Sequence, residues 1–364
     1  MTRRVLTRTM TGILAAAVAT SLAACSSAAS GSGGSTAAAT NGSAAFASMP
    51  TVTMMVGGID KQIYLPYQLA AGLGYYTKYG VNMVLSTEES GGVGAEDAVA
   101  SGQVDMAGAW YVHTIDFQQA GKDVVSIAQL SGAPGEREMC STGSNVKSAA
   151  DWAGKTVGVT DLGSGTDDLT LYMASKAGLT SQQFHRQGVG AGDTLVAALQ
   201  HNTIVCGMTT QPTVAALESK GLAYSAIDLA STAGATQALG GPFPSAAVLV
   251  QKSWLDANKD TAQKVVDALV ATMHYIATHS ASDIADHLPP GFVSNSLVTK
   301  ADYIKALDTD KGQFLPDGMM PANGPETVLA VEKGAGNIKK TIDLPSTYPN
   351  DLVIAANRLE GYTK

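Results

Sequence analysis

The segment Val157–Leu179, VGVTDLGSGTDDLTLYMASKAGL, runs from an apolar, strand-like stretch through a Gly-Ser-Gly-Thr loop into a helical pattern. Such a loop can hold an anion on its backbone N–H groups, yet Asp161, Asp167 and Asp168 load it with negative charge. Ser164 with Asp167 three residues on has the form of a capping box, with Asp where Glu or Gln is usual. Capping still leaves Ser164, Gly165 and Thr166 free to offer N–H and hydroxyl groups to a ligand. A phosphate cradle is excluded, because the loop fits neither G-x-G-x-x-G nor G-x-x-x-x-G-K-[ST] and no lysine is placed to reach a phosphate. Nor is it the G-x-S-x-G elbow of a serine hydrolase. A second set, Trp110, Tyr111 and His113, ends a strand-like run and opens a helical one. The aromatics can stack on a planar or apolar solute, or pack under their loop. His113 can donate to an anion or cap its helix. The six histidines show no metal-ligand spacing. Glu88 and Glu89, as strand neighbours, point to opposite faces and form no acid/base dyad. The chemistry available is therefore binding rather than catalysis, with no cofactor or metal expected.

The rest of the chain must position those residues. At 364 residues it is too long for one ordinary core and implies two domains. With 45% hydrophobic and 15% charged residues it is a folded, well-buried protein. No Lys/Arg block exceeds two residues and the net charge is −8, which argues against nucleic acid as a partner.

The first 25 residues read as a leader: a basic start with Arg3, Arg4 and Arg8, an apolar GILAAAVATSLAA, then small residues up to Cys25. The apolar run is too short for a membrane span. Leu22–Cys25, LAAC, resembles the lipobox of bacterial lipoproteins, in which the cysteine is lipidated after cleavage; an ordinary secretory signal is the alternative. Cleavage there removes three arginines and no acid, moving the net charge from −8 to about −11. Residues 26–49 are low-complexity, almost uncharged and unable to bury a core, so they read as a flexible tether. Its span is roughly 25–30 Å, enough to clear the headgroups of a membrane to which the protein is anchored through Cys25. Cys140 and Cys206 remain, able to pair in an exported protein or to stay as buried thiols.

From Pro50 the pattern alternates strand and helix, which predicts parallel sheets covered by helices, an α/β fold. A Tyr-rich helix over IYLPYQLAAGLGYYTKYG ends at Gly80, Asp193 is placed to cap a helix, and Pro212 falls in the first turn of another. Val265, Val266, Leu269, Val270, Met273 and Ile276 recur at helical spacing and mark core. Gly/Pro-rich segments at LSGAPGERE and STAGATQALGGPFP look like hinges. Two crossings make the first lobe discontinuous: 50–134 with 242–364, and 135–241 inserted as the second. Two such lobes, each binding at the carboxyl ends of its strands, form a cleft that closes by hinge motion.

With leader, tether and two lobes in view, the chain resembles the substrate-binding lipoproteins of bacterial ABC importers of the nitrate/sulfonate/taurine type, which share their fold with thiamine-pyrimidine synthases. The marks are YLPYQLAAGLGYYTKYGV, ASGQVDMAGA, HTIDFQQAGKDVVSIAQL, VKSAADWAGKTVGVT, GSGT ahead of KAGL, and FPSAAVLVQKSWLDAN. They run in order from Pro50 nearly to the end. The resemblance implies a two-lobed type II periplasmic-binding fold and capture of a small solute, without chemistry, for delivery to a permease and ATPase by a monomeric receptor. A lipoprotein sensor of the same fold is the alternative, and a synthase-like enzyme a further one, although the Cys-rich motif of those synthases is absent.

It further implies ligand contacts from strand-to-helix loops of both lobes. In the first these are Gly57, Gly58, Asp60 and Tyr64, then Glu89, Ser90 and Gly91, then Trp110, Tyr111 and His113. In the second they are Ser164, Gly165 and Thr166, then Thr209, Thr210 and Gln211. Relatives often carry an acid at the position of Gln211, so glutamine there weakens any carried-over amine-binding role. Sulfonates, carboxylates and heterocycles are the solutes this predicts, and Trp110 with Tyr111 favours an organic solute over bare nitrate.

Overall fold

The computed structural model describes residues 49–88 and 93–362. Cys25, nearly all of the tether, and Glu89, Ser90 and Gly91 lie outside the described residues. Ten strands form two five-stranded sheets. The first contains β1 (Thr51–Val56), β2 (Asn82–Thr87), β3 (Met106–Trp110), β4 (Val124–Gln129) and β10 (Ala246–Gln251), in the order β2-β1-β3-β10-β4. The second contains β5 (Arg137–Ser141), β6 (Thr156–Val159), β7 (His185–Gly188), β8 (Cys206–Thr209) and β9 (Ala223–Asp228), in the order β7-β6-β8-β5-β9. The chain crosses between sheets after β4 and returns before β10.

The sheets are mixed, where strand-helix alternation predicted parallel ones. β1 lies parallel to β2 and β3, but β10 runs antiparallel to both β3 and β4. β5 is likewise antiparallel to β8 and β9. The reversed strands are the first of each return: they arrive from the other lobe rather than through a helical crossover of their own sheet. Every residue of β3 and β4 is buried, and the two polar side chains of β4, Ser126 and Gln129, are buried with the apolar ones.

The long helix Lys259–Thr278 covers the first sheet with the expected stripe, Val265, Val266, Leu269, Val270, Met273 and Ile276, all buried. The helix Gly324–Ala335 lies along Gly165–Lys176 of the second lobe, with the ring of Tyr172 filling the space beside Gly334. Among the described residues no helix is long and apolar enough to cross a membrane.

Four local expectations give way to tertiary or backbone effects. The Tyr-rich helix is broken into Gln62–Tyr64, Leu65–Gly72 and Tyr75–Lys78, because Gly74 adopts φ +69° between the last two. Residues Thr232–Leu239, expected as part of a hinge, form a helix whose N-cap Ser231 accepts from the Gly234 N–H at 3.0 Å. Asp193 starts its helix without capping it; Gly192 is the N-cap, and Asp193 accepts instead from the Ser296 hydroxyl at 2.8 Å. Pro212 is likewise the N-cap of Thr213–Ser219 rather than inside it. β7, mostly exposed on the sheet edge, lacks the apolar alternation that would announce it. Cys140 and Cys206 face each other across the β5–β8 pair and are joined by a disulfide.

Candidate binding cleft

The carboxyl ends of β1 and β3 face that of β6 across a narrow cavity. The first lobe contributes Lys61, Ile63, Tyr64, Glu96, Trp110 and His113; Glu136, Thr160, Gly165 and Thr166 close it from the other side. Only about 10 Å³ can hold the centre of a water molecule, so the opposing walls are nearly in contact.

β3 ends in Trp110, whose indole is 5% exposed and set edge-on to Phe243 with centroids 6.1 Å apart. The same indole lies against Gly165, the first residue of its helix: a Cβ there would come within 2.2 Å of the ring. His113, a turn further on, is buried between two carboxylates, Nε2 at 2.7 Å from Glu96 and Nδ1 at 3.2 Å from Asp116. Both ring nitrogens face acids, an arrangement that favours the doubly protonated imidazole. Burial opposes that charge, but Glu96 and Asp116 outweigh it and hold the His113 pKa well above its ordinary value. Glu96, on the Val93–Ala100 helix, is pushed up to about 7 by burial, with His113 pulling the other way.

Tyr64 is buried at the cavity wall beneath Lys61, whose Nζ lies 6.0 Å from the ring centroid and donates to the Gly57 carbonyl at 2.8 Å. Burial, then Glu96, Glu136 and Glu88, keep the Tyr64 phenol neutral. Burial lowers the Lys61 pKa, while Glu136, Glu88 and Asp60 oppose the change.

Thr160, Ser164 and Thr166 form a knot of hydroxyls. Thr166 Oγ accepts from the Thr160 N–H at 3.0 Å, Ser164 donates to the Asp161 carbonyl at 2.8 Å, and the three hydroxyls lie within 3.0 Å of one another. The expected capping box therefore does not form. Asp167 reaches back to the Gly163 N–H at 2.9 Å and pairs with Arg186, while Asp161 accepts from the Leu162 N–H at 2.8 Å. Neither aspartate lines the cavity.

Of the residues expected to touch solute, the fold brings together Tyr64, Trp110, His113, Gly165 and Thr166. Gly58 sits at the rim under the Lys61 side chain. Asp60 is exposed and outside the lining. Tyr111 turns into the first lobe, where its hydroxyl meets Thr347 at 2.6 Å and its ring packs on Tyr348. Ser164 is buried behind Thr166 in the hydroxyl knot. Thr210 donates to the Gly135 carbonyl at 2.7 Å, and Gln211 lines an outer groove with Arg137, so neither lines the cavity. Ser90 and Gly91 lie outside the described residues.

Lys61, Ile63, Glu96, Glu136 and Thr160 were not singled out in the sequence. Glu96 carried a usable signal, an acid on a helix face shared with buried Ala95, Ala98 and Val99. Glu136 sits in a Gly/Pro-rich crossing that reads only as a hinge.

Behind the cleft, Asn337 bridges two buried acids, donating to Asp168 at 2.7 Å and Glu332 at 2.8 Å. One further oxygen of each, Oδ2 and Oε1, is buried without a partner among the described residues. Burial, then Asp116, raises Glu332 to about 7; burial, then Glu332, raises Asp168 well above its usual range. A carboxyl raised on folding contributes stability that is complete below the unfolded pKa and lost as pH climbs through the folded one. Thermal stability should thus fall from pH 5 to pH 8. Glu332→Gln should flatten that slope and add on the order of 2 kcal/mol at pH 8. A slope unchanged by the substitution, measured by calorimetric melting, would assign the pH dependence elsewhere.

This is the architecture of two-lobed periplasmic solute-binding proteins. Residues 64–283 match the NMT1/THI5-like family model, and the chain belongs to that family. No curated protein matches the sequence. Among solved structures, a protein of Bordetella bronchiseptica RB50 is 27% identical, with a TM-score of 0.79 over 85% of this chain and 98% of that one. The alkanesulfonate-binding protein of Xanthomonas axonopodis pv. citri, solved with MOPS, is 15% identical, with a TM-score of 0.65 over 83% and 99%. The periplasmic nitrate-binding protein of Synechocystis PCC 6803 is 14% identical, with a TM-score of 0.68 over 86% and 89%. The last two likenesses concern the fold.

Proposed function

We propose that this protein is an extracytoplasmic receptor that encloses a small organic solute between its lobes and presents it to an ABC import permease and its ATPase. The observation carrying this reading is the cavity itself, closed from both sides at the carboxyl ends of strands from two sheets. Its side chains suit holding rather than reacting. His113 is locked between Glu96 and Asp116, so it is no free base, and the threonine and serine hydroxyls bond to one another. The small open volume means that a solute enters when the lobes part and is covered when they close. Lipid on Cys25 and a tether over 26–49 would keep the monomeric receptor beside its permease.

A thermal-shift screen of sulfonates, carboxylates and heterocycles, followed by calorimetry, tests the reading; bound solutes should be recovered unchanged. Consumption of a solute would convert the proposal into an enzyme. Trp110→Ala should weaken capture of a hit by about tenfold, some 1.4 kcal/mol. Equal affinity in calorimetry would remove the indole from the solute's surroundings.

A further inference from the structure

We infer that the cleft selects a solute bearing a positively charged or N–H-rich group, with Glu136 as its counter-ion. This rests on the receptor reading above and concerns what that receptor holds. The argument is a census of charge around the cavity. His113 is neutralised by Glu96 and Asp116. Lys61 donates a hydrogen bond to the Gly57 carbonyl and shares its charge among Glu136, Glu88 and Asp60. Arg137, next in sequence to Glu136, is committed to Asp310 and Asp228. Among the described residues lining the cavity, Glu136 is the acid with neither an ion pair nor a hydrogen-bond partner for its Oε2.

Its side chain is 2% exposed and lines the cavity. Its Oε2 is buried with no hydrogen-bond partner, and among the described residues no cationic nitrogen comes within 4.0 Å of the carboxylate. A carboxylate in such a place is costly unless something supplies protons or charge. Burial accordingly raises its pKa to about 7, with Lys61 and Arg137 too weak to restore the usual value. An arriving ammonium, amidinium or ring N–H satisfies that oxygen. A sulfonate or carboxylate set beside it would meet an uncompensated acid instead. The surrounding surfaces agree: Tyr64 and Trp110 present aromatic groups on which a cation is favoured. The chain's net charge of −8 also steers cations inward more readily than anions.

The test is a two-armed thermal-shift and calorimetric screen of the full chain. One arm holds cationic or N–H-rich solutes and the other their ammonium-free counterparts, including the pairs benzamidine with benzoate and taurine with ethanesulfonate. Hits should come from the first arm. In Glu136→Gln, which keeps the shape and removes the charge, affinity for such a hit should fall by roughly thirtyfold or more. The melting temperature should hold at pH 6 and hold or rise at pH 8, because burial already raises the Glu136 carboxyl to about 7. Glu136→Asp, which retracts the charge by one methylene, should lose less and serves as well if the glutamine variant folds poorly. Hits confined to the ammonium-free arm, or a cationic hit bound equally by both variants, would overturn this inference and leave the receptor standing. Silence in both arms would remove the receptor reading and this inference with it.

Discussion

Gly165→Ala should cripple solute capture while leaving the fold intact. The added methyl would sit 2.2 Å from Cε3 and 2.7 Å from Cζ3 of Trp110, atoms of a rigid ring buried across the cleft. The backbone at Gly165 begins a regular helix, where alanine is the better former, so nothing local opposes the change. The whole cost falls on the approach of one wall to the other. Overpacking of this kind costs about 2 kcal/mol, equivalent to roughly thirtyfold in affinity. Calorimetry on a screened solute measures the loss, and small-angle scattering should show a larger radius of gyration with a melting temperature near wild type. Wild-type affinity together with wild-type dimensions would show that the Trp110–Gly165 contact lies outside the closing motion.

Arg137→Ala should instead damage the fold. Both terminal nitrogens of Arg137 donate to Asp310 at 2.7 Å, tying β5 of the second sheet to the helix Lys300–Asp310. Both partners are buried, at 8% and 5% exposure, so removing the guanidinium strands the Asp310 carboxylate away from water. Breaking a buried pair from one side costs about 3–5 kcal/mol. The third contact, Nε to Asp228 at 3.3 Å, involves a side chain 53% exposed and adds little. For a domain of this size the loss corresponds to a melting temperature lower by roughly 6–8 °C. Pairing Arg137→Met with Asp310→Leu should recover most of it, because the penalty lies in the stranded charge rather than in the bond. A double variant no more stable than the single would contradict that account.

The two substitutions differ because the contacts they break differ in kind, and that difference separates what was legible in the sequence from what was not. Trp110, His113 and the Gly165–Thr166 turn were legible because each follows a strand-like run and opens a helical one, and such junctions lie at the carboxyl ends of strands. Tyr111 shares the junction with Trp110, yet one residue of rotation sends it to Thr347 and Tyr348. Periodicity alone could not divide the two aromatics between cleft and core. Ser164 and Asp167 satisfied a capping pattern by type and spacing, but nearby hydroxyls and Arg186 offered better partners. Arg137 and Glu136 carry no legible signal, because a Gly/Pro-rich crossing has no period from which a direction can be read.

The sequence by itself determined the strand-helix alternation, the apolar stripe of Lys259–Thr278 and the strand-to-helix junctions that meet at the cavity. These follow from local composition and periodicity, which act over a few residues. Only the tertiary structure decided that β10 runs against its neighbours, that His113 sits between Glu96 and Asp116, and that the Glu136 Oε2 is buried at the cavity with no hydrogen-bond partner among the described residues. Each depends on groups far apart in the chain meeting away from water, where an unmatched charge costs several kcal/mol. That cost is invisible in any short window of residues, because it arises only where distant groups meet.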